Sequence, residues 1–148
     1  MEAVAGISAV LTLAAAAGKL SKAISDTCGK YSDIPYHVRS LGAEVSVFGG
    51  ILRQLHYANT SPGMELDSDA SAITNTILEE CEELFTQIES FQKSLFDATK
   101  SLEHPTFRGK TKLIFKSNHL EYLRARLESM KTNILLVMTM QLTRQVQM

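Results

Sequence analysis

The chain has 148 residues, 45% of them hydrophobic and 21% charged, with a formal net charge of −1. That is enough length for one domain with a sizeable core, and the charge gives no global pull toward nucleic acid or an acidic surface. Two cysteines, Cys28 and Cys81, lie far apart and form no CxxC, which suits a reducing, intracellular setting with two buried thiols.

The first element is predicted over Met1 to about Cys28. From Ala3 to Gly18 there is no charged residue, and Ser8 and Thr12 are the only polar side chains. An alanine-rich run without breakers favours helix. Wound as a helix, it shows two apolar stripes, Val4, Ile7, Leu11, Ala14 and Val10, Leu13, Ala17, Leu20, Ile24. A helix apolar nearly all round must be covered by protein or by lipid. Glu2 and the first lysine at Lys19 do not fit a secretory signal. An uncharged run of about 16 residues spans roughly 24 Å, short of the roughly 30 Å hydrocarbon core. The expectation is a core helix of a bundle.

Gly29 is a stop signal, and Ser32–Pro35 reads as a turn with Pro35 in the first turn of a second helix. Val38, Leu41, Val45, Phe48, Leu52 and Leu55 then alternate in steps of three and four, as a long packing seam requires. Gly42, Gly49 and Gly50 cost helix stability and are read as places where the alanine helix comes close. Ser61-Pro62-Gly63 marks a loop, and Asp67-Ser68-Asp69 can cap a third helix. That helix carries Ile73, Ile77, Cys81, Leu84, Ile88, Phe91, Leu95, Ala98 and Leu102. Its outer face is acidic at Glu79, Glu80, Glu82, Glu83 and Glu89, and no Lys or Arg occurs between Arg53 and Lys93.

His104-Pro105 ends the third helix. Thr106–Lys116 is basic, with Arg108, Lys110, Lys112 and Lys116, and also holds Phe107 and Phe115. Ser117 or Asn118 caps a last helix built on Leu120, Leu123, Leu127, Met130, Ile134 and Val137, widened by Leu135, Leu136, Met138, Met140 and Leu142. Four such helices make an all-α, up-down four-helix bundle over residues 1–148, with room for one extra short helix and with the N-terminal apolar helix in the core.

The chemistry-bearing patterns are missing. His37, His56, His104 and His119 are scattered, with no HExxH and no Glu-x-x-His pairs for a di-iron bundle. No phosphate-binding glycine motif and no nucleophile elbow occur. The expectation is no enzyme, no catalytic residue, no metal, no cofactor and no nucleic-acid partner. The Glu79, Glu80, Glu82, Glu83 cluster is read first as a solvated helix face, with a cation or partner site as the alternative. The Arg108–Lys116 segment can touch anionic head groups at roughly 1 kcal/mol per basic residue, or pair with the acidic third helix.

The opening MEAVAGISAVLTLAAAAGKLSKAI, with Gly18-Lys19 near its end, resembles the start of the fungal N-terminal domains of STAND proteins, the HeLo-like group and its relatives. The acidic third helix, the Lys112-Leu113-Ile114-Phe115-Lys116 stretch and the Leu123, Leu127, Lys131 spacing extend the resemblance over nearly the whole chain. Such domains are similar to the HeLo prion-controlled toxin and to the four-helix killer domain of the mixed-lineage kinase-like pseudokinase. The resemblance implies a regulated cell-death effector that is cytoplasmic at rest and acts at the plasma membrane after self-association. It also implies a nucleotide-binding oligomerisation domain downstream in the same chain. Val4, Ile7, Val10, Leu11, Leu13 and Leu20 are then the membrane-inserting residues. Lys19, Lys22, Arg108, Lys110, Lys112 and Lys116 are the contacts to anionic lipid. The alternative is a non-lytic self-association or adaptor module that uses the acidic face.

Overall fold

In the computed structural model, backbone is described for residues 2–30, 34, 36–60, 68–100 and 117–146, and side chains for 9–30, 34, 36–60, 69–97 and 119–143. Among the described residues there are four α-helices: α1 Glu2–Lys30, α2 Tyr36–Thr60, α3 Ser68–Lys100 and α4 Ser117–Val146. No described residue lies in a strand. α1 runs through Gly29 to Lys30, so that glycine does not stop it. α2 is described from Tyr36 and α3 to Lys100, so Pro35 and Leu102, placed by the sequence in these helices, lie outside the described residues.

Each helix has two neighbours. α1 packs on α2 and α3, and α4 packs on α2 and α3, so the consecutive helices α2 and α3 face each other across the core. Named contacts fix the directions. On α1, Ile24 lies by Gly42 and Ala17 by Gly49, so α1 and α2 are antiparallel. Glu44 meets Arg124 and Asn59 meets Gln141, so α2 and α4 run parallel. Phe91 lies beside His119, while Arg126 is within electrostatic reach of Glu83 and Glu80, so α3 and α4 are antiparallel. The chain therefore alternates up and down.

The sequence seams are the core. Val10, Leu13, Ala14, Ala17, Leu20, Ile24 and Cys28 of α1 are buried, as are Val38, Leu41, Val45, Phe48, Leu52 and Leu55 of α2. Ile77, Cys81, Leu84, Ile88, Phe91 and Leu95 of α3 and Leu120, Leu123, Leu127, Met130, Ile134 and Val137 of α4 complete it. At the centre Phe48 and Phe85 meet edge to face, with ring centroids 5.6 Å apart. Ile73 departs from its predicted place and is 46% exposed. It lies seven residues before Glu80, on the stripe that turns toward α4 and away from the core axis.

The α1–α2 approach rests on two of the three glycines. A Cβ on Gly49 would lie 3.0 Å from the Cβ of Ala17, and one on Gly42 would lie 3.1 Å from Ile24 Cγ2. At this close approach the Ser21 hydroxyl donates to the Gly42 carbonyl at 2.8 Å. Gly50 was expected to share this role and does not, because a Cβ there meets nothing within 4 Å.

Both thiols are free and buried. Burial pushes the Cys81 pKa up to about 12, with nearby Glu80 adding to the effect. Cys28 is also raised by burial, against the opposing pull of Arg39. The unfolded chain ionises these thiols at lower pH than the folded one does. Their contribution to stability is thus complete below about pH 8.5 and shrinks as the pH rises above it, for Cys81 until about 12. A neutral-pH thiol reagent should label both cysteines only as fast as the bundle unfolds. Rapid labelling of Cys81 in the native protein contradicts this packing.

Candidate interaction surfaces

The alanines of α1 do two jobs on two sides. Toward α2, the Ala17 methyl and the Ala14 carbonyl oxygen lie against Gly49. Ala9, Ala16 and Ala23, spaced by seven, turn toward α3 with Thr12, Leu13, Lys19 and Leu20. Such short side chains leave the α1–α3 seam unfilled. The result is an open groove of about 1050 Å³ between the two helices, with Leu13, Ala16, Leu20, Leu78 and Phe85 along its floor. Glu79, Glu82, Glu89 and Lys93 form the α3 rim, facing Lys19 on the α1 rim.

The predicted acidic face is thereby divided. Glu79 and Glu82 edge the groove. Glu80 and Glu83 turn the other way, toward Arg126 of α4, and raise the pKa of that guanidinium behind the larger effect of its hydrogen bond to Tyr122. Among the described residues, Glu89 pairs with Lys93 at 3.2 Å, while Glu79 and Glu82 have no ion-pair partner. The rim therefore offers two unpaired carboxylates on one side and the exposed Lys19 ammonium on the other.

The residues assigned to membrane insertion also separate. Val10, Leu13 and Leu20 are in the core, and Leu11 is 46% exposed on the outer side of α1. The side chains of Val4 and Ile7 lie outside the described residues, as do Arg108, Lys110, Lys112 and Lys116. Lys19 and Lys22 are exposed. Among the described residues no helix is long and apolar enough to cross a membrane. No group of three His, Cys, Asp or Glu side chains among them could hold a metal ion.

On the far side of the bundle, the Arg124 guanidinium grips Glu44 with bonds of 2.7 to 3.2 Å and reaches Ser40 Oγ at 3.5 Å. Both side chains are one-third exposed, so the pair contributes modestly and mainly fixes the α2–α4 register. At the other end of that seam Gln141 Nε2 donates to Asn59 Oδ1 at 2.8 Å. These are positioning contacts between helices.

The described residues form a four-helix bundle with an open, charge-edged groove between α1 and α3. The chain belongs to the family described as pigment biosynthesis cluster protein PigL N-terminal, whose pattern it matches over residues 1–148. Comparison with curated proteins and with solved structures gives no match. The resemblance to fungal N-terminal helical domains is thus met at the level of a fungal-type domain.

Proposed function

We propose that this domain is a non-catalytic interaction module of a larger signalling protein, and that the α1–α3 groove receives an amphipathic partner helix as a fifth member of the bundle. The observation that carries this reading is the groove, with its apolar floor and its opposite charges on the two rims. A helix laid there would present an apolar ridge to Leu13, Ala16 and Phe85. It would carry basic residues on the flank facing Glu79 and Glu82 and acidic ones on the flank facing Lys19. The family description, an N-terminal part of a pigment-cluster protein, supports an accessory role beside other domains, among which a nucleotide-binding oligomerisation domain is the proposed neighbour.

The test is a synthetic amphipathic helical peptide with leucines at i, i+4, i+7 and i+11, lysines on one flank and glutamates on the other, read by fluorescence anisotropy. The charge-matched peptide should bind at least tenfold more tightly than the same peptide with its flanks exchanged. Ala16→Phe, which fills the floor from a half-buried position, should abolish binding with the helical circular dichroism intact. Equal binding of both peptides, or none, rejects the groove as the docking site.

A second reading, the HeLo-like cell-death effector cytoplasmic at rest and acting at the plasma membrane, draws on the exposed Lys19 and Lys22 beside the uncharged run of α1. Its physical cost is the release of α1. Withdrawing Val10, Leu13, Leu20 and Ile24 from the core costs about 6–12 kcal/mol, comparable to the whole stability of a domain. Lipid and oligomer contacts would have to return that amount. Dye release from anionic vesicles after forced oligomerisation supports this reading, and intact vesicles reject it.

A further inference from the structure

The outward half of α4 is the other surface without a described neighbour. From Thr132 to Thr143 the helix carries no charge, and Lys131 and Arg144 bound that stretch. Ile134, Val137 and Gln141 point into the bundle, but Leu135, Leu136, Met140 and Leu142 are 44–57% exposed. An uncharged, largely apolar helix stretch with only two neighbouring helices leaves one face uncovered. Along its outer face run Thr132, Thr139 and Thr143. Each hydroxyl already donates to the carbonyl four residues earlier, at 3.1, 2.8 and 2.9 Å. Covering these threonines strands no donor, and their methyl groups lie between the flanking leucines and methionine. Ile73 of α3 extends the apolar surface. The antiparallel register, Phe91 beside His119 and Glu80 near Arg126, brings it level with the Val137 turn of α4.

We infer that this face is a two-fold contact with a second copy of the chain, the α4 helices crossing antiparallel near Thr139. Two observations select this occupant. A two-fold interface apposes a patch to itself, so a charge near its axis meets its own like; this patch carries no charge, unlike the groove with its opposite rims. The area is also of the right order. Leu135, Leu136, Met140, Leu142 and Ile73 expose roughly 500 Å² together, a large patch for a monomer. Two copies, with the threonines and a polar rim, reach about 1,200 Å², the lower bound of a specific interface. The contact is therefore a weak, concentration-dependent dimer. It uses neither the groove nor α1, so it stands or falls independently of the peptide-docking proposal.

Sedimentation equilibrium of the whole chain tests it. The mass should rise from 16.3 kDa toward twice that value as concentration goes from about 1 to about 500 µM. Leu136→Glu and Met140→Glu each alter an exposed side chain, so melting should be unchanged while the dimer constant weakens at least tenfold. Tyr36→Glu, on an exposed residue at the opposite end of the bundle, should leave it unchanged. Thr139→Cys should give a disulfide-linked dimer under mild oxidation. A wild-type monomer over the whole range, or a dimer indifferent to both α4 variants, overturns the proposal. So does a chain that stays monomeric in solution and uses this face only on neutral lipid vesicles.

Discussion

Phe48→Ala should lower the unfolding free energy by about 3–5 kcal/mol, the largest single loss expected in the bundle. Phe48 has no solvent exposure and meets Phe85 at the point where α2 and α3 face each other. Truncation leaves a void lined by helices that are tied laterally by the α1–α2 glycine contacts and the Glu44–Arg124 pair. Such a site collapses poorly, so the cavity term adds to the lost transfer energy. Urea unfolding followed by circular dichroism reads this as a fall in midpoint at unchanged slope. A loss below 1 kcal/mol contradicts the central position of Phe48.

The second large effect is a pair of opposite signs at adjacent glycines. Gly49→Leu should destabilise by about 3 kcal/mol, because its first carbon would lie only 3.0 Å from Ala17 Cβ, which has no rotamer to escape into, and the larger side chain beyond it has to be fitted into the same tight seam. Gly50→Ala should stabilise by about 0.5–1 kcal/mol, because nothing lies within 4 Å and alanine favours helix. Thermal melts of the two variants check both signs. Stabilisation by Gly49→Leu means that α1 does not approach α2 at that turn.

These two predictions show where the sequence was legible and where it was not. The three-four spacing of Val38 to Leu55 and of Leu120 to Val137 names the buried faces directly, since periodicity is a property of one helix. Which glycine is used depends on where a second helix lies. Gly49 and Gly50 look alike in sequence, yet only Gly49 points at α1. The same limit applies to the acidic cluster. Glu79 to Glu83 read as one face, but 100° per residue sends Glu79 and Glu82 toward α1 and Glu80 and Glu83 toward α4. The groove was not found in the sequence at all. Its signal, alanines at 9, 16 and 23, is hidden in a run where nearly every residue is small, and it acquires meaning only once α3 is known to lie opposite.

Ile73 and the end of α4 carry a related lesson. Their apolar residues extend real helical stripes, so periodicity counts them as core. With two neighbours per helix, however, a stripe wider than about half the helix circumference runs out onto the surface. What covers it is a question of association and cannot be read from one chain's periodicity.

In the proposed function α1 stays a permanent member of the folded bundle and the domain works through its outer surfaces. Native-state hydrogen exchange of α1, with and without anionic vesicles, tests this most directly. Amides from Val10 to Ile24 should exchange only through global unfolding, together with those of Val38 to Leu55, and vesicles should leave them unchanged. Exchange of α1 well ahead of α2, or loss of its protection on adding vesicles, would contradict the claim and support release of the helix into lipid.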